Sequence, residues 1–328
     1  LYSHVKRHLR KIIEIRGSYY ISLPKEWVKG FSLSKGSYLE VSIDQLGNLT
    51  IKPAERPSRK PYRKVSITAD DHVDSKIVIA YLSGYDQIEV VKGGGISRNI
   101  RRKIEDVTSL LIGLEIVSES VDRIVLECLP VDVVDVWKFI KRMDSIARSM
   151  YIDSFRALAN RDNEIALSVI ERDSKVDKLY FLVVRMIRSS LMDLRTLIDK
   201  GLSPLELLDY RLMSRDLEEI ADNAESMARN VLNVISRPSR DYEECLDEIE
   251  QIVLSMDNIE RDIMEIYEKR LFHASMNIRN RLMKPREQLR RLMDMCIEER
   301  RYVSLLPVVN DMSRILSLIA DLNDLVAR

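Results

Sequence analysis

The chain has 328 residues, 45% of them hydrophobic and 32% charged, with 52 basic side chains balanced by 52 acidic ones. That length predicts about two or three domains with room for a sizeable core, and no apolar run approaches the ~20 residues of a membrane-spanning helix. No apolar signal segment opens the sequence, and Cys128, Cys245 and Cys296 lack the paired spacing of a disulfide framework or zinc site, so a reducing cytoplasm is the expected compartment.

The zero net charge hides a basic end. Residues 1–64 carry 14 Lys and Arg against 5 Asp and Glu, a net of +9, which suits a polyanionic partner. The pattern there predicts a strand over Lys11 to Ile15, a turn at Arg16-Gly17-Ser18, a strand over Tyr19 to Leu23 and a helical turn opened by Pro24. Strands over Tyr38 to Ile43 and Asn48 to Lys52 follow, around a turn at Gln45-Leu46-Gly47. Four short strands bury too little surface to stand alone, so the unit is expected to dimerise. The string RKIIEIRGSYYISLPKEWVKGFSLSKGSYLEV resembles the AbrB/MazE swapped-hairpin family, in which two chains interlace into one DNA-binding barrel. The resemblance implies that residues 1–56 form a homodimer, or a higher homo-oligomer, that binds DNA. Ser18 stands where many members place an arginine after the turn glycine, so base contacts do not carry over. Arg10, Lys11, Arg16, Lys25 and Lys29 remain candidates for phosphate contacts, the alternative being the solvated basic face of a dimerisation module.

Residues 57–64, rich in proline and basic side chains, read as a linker. Beyond it, residues 65–130 predict a small α/β domain of order β-α-β-α-β-β, with helices over His72 to Tyr81 and Arg98 to Leu110, the second capped by Ser97. The Gly93-Gly94-Gly95 loop before that helix, with Arg98, Arg101, Arg102 and Lys103, is a candidate anion site, although it lacks a P-loop ending. The competing reading is a plain turn leading into a capped helix.

From Val131 the pattern is helical, broken near Asn160–Asp162, Gly201–Pro204, Arg237–Pro238, His273–Arg279 and Arg300–Tyr302. Six helices with short connections predict two three-helix bundles, residues 131–238 and 239–328. Pro285 and Pro307 fall inside helical stretches and should kink or delay the last two helices. An internal repeat supports the pairing: Met213, Ser214, Arg215, Leu217, Ile220, Ala221 and Asp222 recur 99 residues later as Met312, Ser313, Arg314, Leu316, Ile319, Ala320 and Asp321, with Glu225 answered by Asp324. In the first copy Leu217, Ile220, Ala224, Met227 and Val231 form a buried stripe, and beside it Glu218 and Asp222, four apart, share one helix face. Upstream, Ile165, Val169, Val176, Tyr180, Val183 and Ile187 set a stripe on which Asp173 falls in core phase, with Asp177 adjacent. A carboxylate there needs a partner. By spacing alone the pairs are either a cation site or a solvated face neutralised by Arg172, Lys175 or Arg215.

Glu171-Arg-Asp-Ser-Lys-Val-Asp177 and Leu217-Glu-Glu-Ile-Ala-Asp222-Asn-Ala resemble the (Glu/Asp)-x-x-x-Asp motifs of the PhoU family of helical phosphate-uptake regulators, whose repeated three-helix bundles hold metal clusters. The resemblance, over roughly residues 132 to 328, implies one metal site made by Asp173, Asp177, Glu218 and Asp222. The second bundle departs from the pattern, since Ser317 replaces the carboxylate matching Glu218 and Leu271 to Lys284 offers no acidic pair. Carboxylate oxygens suit a divalent or trivalent metal ion, iron or manganese first, then magnesium or calcium. His4, His8, His72 and His273 are scattered and no nucleophile stands beside a base, so no catalytic residues and no enzyme are expected. The expected fold is multidomain α+β: a swapped-hairpin β-barrel, a small α/β domain, then six helices as two three-helix bundles. The implied function is a phosphate-responsive regulator joining a DNA-binding dimer module to a metal-carrying adaptor that senses a phosphate transporter or its signalling partner. The alternative is a protein-interaction adaptor whose hairpin module only dimerises.

Overall fold

A computed structural model describes residues 8–43, 47–54, 62–129, 136–192, 197 and 201–326. The chain divides into two compact units, residues 1–61 and 62–328.

The first unit is built from two antiparallel hairpins. Strands β1 (Ile13–Ile15) and β2 (Ser18–Tyr20) turn through Arg16 and Gly17, both at positive φ (50° and 79°), as a tight hairpin turn requires. Helix α1 (Lys25–Gly30) leads to β3 (Leu39–Ile43) and β4 (Leu49–Pro53). Pairing puts Ile13 opposite Tyr20, Val41 opposite Ile51 and Ile43 opposite Leu49, so alternation gathers apolar side chains on one face of each hairpin. Among the described residues those faces have no cover: Ile13, Ile15, Tyr20, Val41, Ile43 and Leu49 are all more than half exposed. Within one chain the described strands make two separate two-stranded sheets, where a barrel was expected.

The second unit begins with a four-stranded sheet in the order β5 (Lys64–Thr68), β6 (Gln87–Val91), β8 (Arg123–Cys128), β7 (Leu114–Glu119), with β5 and β6 parallel and the other pairs antiparallel. Helices α2 (Val73–Leu82) and α3 (Arg98–Leu110) bury Val73, Ile77, Ile100, Ile104 and Val107 in its core. The order of elements matches the sequence reading, and Ser97 Oγ accepts the Ile100 amide. The end of the expected linker belongs to the sheet layer, because the Arg63 amide donates to Asp86 Oδ2 at 2.8 Å and β5 starts at Lys64.

Six long helices follow: α4 (Val136–Asn160), α5 (Asn163–Leu191), α6 (Pro204–Ile235), α7 (Leu246–Glu268), α8 (Ser275–Glu298) and α9 (Leu306–Val326). Local chemistry sets several ends. Asp162 caps α5 by accepting the Glu164 and Ile165 amides, and Ser203 and Glu206 form a capping box with Pro204 at the first position of α6. Pro307 sits at the start of α9, where its missing N–H costs nothing, whereas Pro285 lies inside α8. Helices α4, α5 and α6 pack on one another, as do α7, α8 and α9, and the two sets meet through α6 against α9 and α4 against α7. One hydrophobic core runs through both sets. The stretch Arg300–Val326 is long and apolar enough to cross a membrane, yet half of its most apolar window is buried in this core. A helix sandwiched between neighbours needs apolar residues on several faces.

The α/β layer does not stand apart from the helices. Phe181 of α5 packs into its core, and the buried Arg185 donates to the Tyr81 carbonyl at 2.6 Å with its guanidinium 4.8 Å from the centre of the Tyr81 ring. Helix α2 ends at Gly84 (φ +78°), where a Cβ would lie 2.6 Å from Ser189 Oγ on α5. The serine hydroxyl can rotate away but the backbone cannot, so Gly84→Ala should cost ~1–2 kcal/mol, read as a lowered denaturation midpoint.

Candidate metal centre

Helices α5 and α6 lie side by side, and each sets two carboxylates four residues apart on the face toward the other. Single oxygens of Asp173, Asp177 and Asp222 all fall within 4.8 Å of one another. Glu218 lies outside that triangle yet close enough that Asp222, Asp177 and Asp173 all act on its charge. The structure therefore brings three of the four sequence-predicted residues into one cluster and places the fourth beside it.

Burial and like charge dominate the electrostatics of this group. Burial, then the charges of Asp177, Asp222 and Glu225, push the Asp173 carboxyl up to about 7. Burial, then the charges of Asp222, Asp177 and Glu219, raise Glu218 to about 7 as well, and Asp177 and Asp222 are also raised, again by burial first. Asp173 Oδ1 is buried without a hydrogen-bond partner. Two of the three basic side chains that would make this a solvated, neutralised face are engaged elsewhere, Arg172 pairing with Asp153 at 2.7 Å and donating to Ser149 and Arg215 pairing with Glu219, while Lys175 is exposed on α5. A carboxylate cluster with a buried, unpartnered oxygen fits a hard cation.

Sequence reasoning missed Glu225, which raises Asp173, Asp177 and Asp222 from one turn further along α6 and is itself paired with Arg229 at 2.6 Å. Its signal was present, since Glu225 stands three residues after Asp222 and has a counterpart, Asp324, in the repeat. In the second set of helices that counterpart is spent on Arg279 at 2.8 Å, and the Ser317 hydroxyl donates to the Ser313 carbonyl on its own helix. Asp321 faces across to α6, where its charge, after burial, raises Asp216 to about 6.

Arg10, Lys11 and Arg16 lie on or beside the first hairpin and Lys25 and Lys29 on α1, all exposed. The glycine loop is braced from within. Gly94 and Gly95 adopt positive φ, and Arg101 turns back to donate to the carbonyls of Ile96, Ser120 and Val121 and to pair with Glu119. Lys103 donates to the Asp71 carbonyl at 2.8 Å. Two of its four basic side chains are thus committed within the fold, which favours the reading of a structural turn into a capped helix.

Residues 140–231 match the family model described as PhoU domain, and residues 15–59 match that of the antidote-toxin recognition protein MazE, a bacterial antitoxin. No curated protein is detectably similar to the chain. Among solved structures, the chain is similar to the crystal structure of PhoU from Pseudomonas aeruginosa, with TM-score 0.51 and 16% identity over 59% of this chain and 94% of that one. At that identity the likeness is one of fold.

Proposed function

We propose that the protein is a cytoplasmic, phosphate-responsive regulator in which a hairpin unit, paired between two copies, binds DNA and the helical unit carries a metal ion on Asp173, Asp177, Glu218 and Asp222. The observation that carries this reading is the convergence of carboxylates from α5 and α6, with Arg172 and Arg215 paired elsewhere, within the stretch that matches a PhoU domain. Asp173, Asp177 and Asp222 would hold the ion, iron or manganese before magnesium or calcium, and Glu218 would complete the shell. Bound there, the metal neutralises charge that otherwise works against packing α5 on α6. The donor set contains no nucleophile or base arranged for turnover, and burial holds the Cys245 and Cys296 thiols up at about 11, far from reactive thiolates. A regulator or adaptor, in contact with a phosphate transporter or its signalling partner, accounts for these features better than an enzyme.

Residues 1–64 carry an excess of nine positive charges, and their exposed side chains suit a phosphate backbone. DNA binding should therefore weaken steeply with salt. Replacing Arg10, Lys11 and Arg16 together by alanine should reduce affinity and flatten the dependence of log K on log salt by roughly one unit for each phosphate no longer neutralised. Fragments retained from genomic DNA, sequenced with and without the triple substitution, test this directly. Equal retention by both proteins would favour the second reading, an adaptor in which the hairpins serve only to join two chains.

A further inference from the structure

Helices α4 and α7, the first of each helical set, carry one six-residue pattern twice: Met143-Asp-Ser-Ile-Ala-Arg148 and Met256-Asp-Asn-Ile-Glu-Arg261. The two copies meet where these helices join the halves of the core. Arg148 donates to Asp144 on its own helix at 3.0 Å and reaches Asp257 on α7 at 2.8 Å, while Arg261 pairs with Asp257 from the other side. The copies differ at one chemically telling position, where Ala147 of the first is Glu260 of the second.

Glu260 is completely buried. Its Oε2 accepts the Tyr151 hydroxyl at 3.0 Å, whereas Oε1 has no partner. The carboxyl of Asp144 lies within hydrogen-bonding reach. Two ionised carboxylates offer each other only acceptors, and buried acceptors facing one another are costly. Counting charge leads to the same place. Three carboxylates share two guanidinium groups, and Arg261, more than half exposed, spends its charge on Asp257.

We propose that Glu260 Oε1 is a proton-binding site, with the proton donated to Asp144, and that this proton is a structural ligand of the joint between the two halves of the helical unit. Neither neighbour can take over the role. Tyr151 already gives its proton to Oε2, and burial followed by the charges of Glu260 and Asp257 holds the phenol well above its ordinary value. Arg148 is already divided between Asp144 and Asp257. The strongest influences on Glu260 are burial and then the α4 groups Asp144, Arg148 and Tyr151, with no charged side chain of α8 or α9 among them. Burial and the Asp144 charge both favour the neutral carboxyl.

The sign of the pH dependence follows. A carboxyl raised in the folded state binds its proton more tightly there than in the unfolded chain. Its contribution is complete below the unfolded value of about 4.3 and is lost as pH rises through the folded one. Ionising Glu260 places an uncompensated charge where α4 meets α7, so alkaline conditions loosen the coupling of the two halves.

The test uses the full chain with metal removed by chelation, comparing thermal melting of the parent, Glu260→Gln and Asp144→Asn from about pH 5 to about pH 9. Glutamine keeps the shape and supplies a donor toward Asp144 without a titrating proton. Glu260→Gln should melt with the parent at the acid end and gain ~3 °C or more on it at the alkaline end. Asp144→Asn, which offers an ionised Glu260 an amide donor, should flatten the same slope. At mildly alkaline pH, where the α5–α6 carboxylates have lost their protons, the parent should still show the infrared band of a protonated carboxyl, absent from Glu260→Gln. If Glu260→Gln fails to fold, the parent band and the Asp144→Asn slope decide alone. Parallel melting profiles at every pH, or no protonated-carboxyl band in the parent, would overturn the proposal.

Discussion

Replacing Asp177 and Asp222 together by asparagine should strip the protein of bound iron or manganese while making its metal-free form more stable at neutral pH. Asp173 and Glu218 are both held up at about 7, by burial first and by neighbouring carboxylates second. A carboxyl raised in the folded state contributes stability that is complete below about pH 4 and lost as pH rises toward 7, so the metal-free parent should weaken over that window. Asparagine at two positions removes the repulsion. With Asp177 part-buried and Asp222 exposed, solvent screening reduces the gain to ~1–2 kcal/mol in all. In the parent, a cation at a hundredfold excess over its dissociation constant should add ~2.7 kcal/mol, roughly 5–10 °C in Tm, and the double variant should show none of that rise. Protons compete for the same oxygens, so the metal-dependent gain should shrink toward pH 5. Changing Asp321 and Asp324 instead should leave metal content nearly untouched, because Asp324 is paired with Arg279 and Ser317 is turned to its own helix. Elemental analysis of both double variants separates the outcomes. Equal loss from both would mean that the second repeat is also a working site, and a metal-free parent would reduce the cluster to an acidic face.

The second large effect concerns the hairpins. Ile15 and Ile43 are 53% and 74% exposed, each on the apolar face of its hairpin. If a second chain covers those faces, replacing both by aspartate removes four buried isoleucines from a two-fold pair, ~2 kcal/mol apiece, and weakens association by more than ~10⁴-fold. The full-length variant should run as a monomer in sedimentation at concentrations where the parent is dimeric, and DNA retention should fall with it. An unchanged oligomeric state would show that these faces do not join the chains.

Much of this architecture was legible in the sequence because it rests on periodicity and punctuation. The breaks at Asn160–Asp162 and Gly201–Pro204 carry real caps, and the β-α-β-α-β-β order follows from alternation bounded by turns. The carboxylate cluster was legible because i, i+4 spacing fixes a shared face and because Asp173 stands in core phase. What periodicity does not tell is which surface covers a stripe. Arg185 draws no notice in the sequence, and only the docking of α2 makes it a buried donor. Glu260 sits among ordinary helix-surface charges in the sequence, and becomes exceptional only because α4 closes over it. Arg101 looked like an anion ligand until the β7–β8 turn supplied carbonyls for it.

Helix α5 carries Asp173, Asp177, Phe181, Arg185 and Ser189 at successive intervals of four, a single ridge along about 24 Å of helix. Its first two members belong to the carboxylate cluster and its last three to the seat of the α/β layer. A rod this stiff has few independent degrees of freedom: a turn about its axis at one end is the same turn at the other. An ion held among the carboxylates would therefore rest on the same helix that seats Phe181 and Arg185 against the α/β layer. Substitutions along this ridge therefore fall on a helix that serves two seats at once, one for the carboxylate cluster and one for the α/β layer.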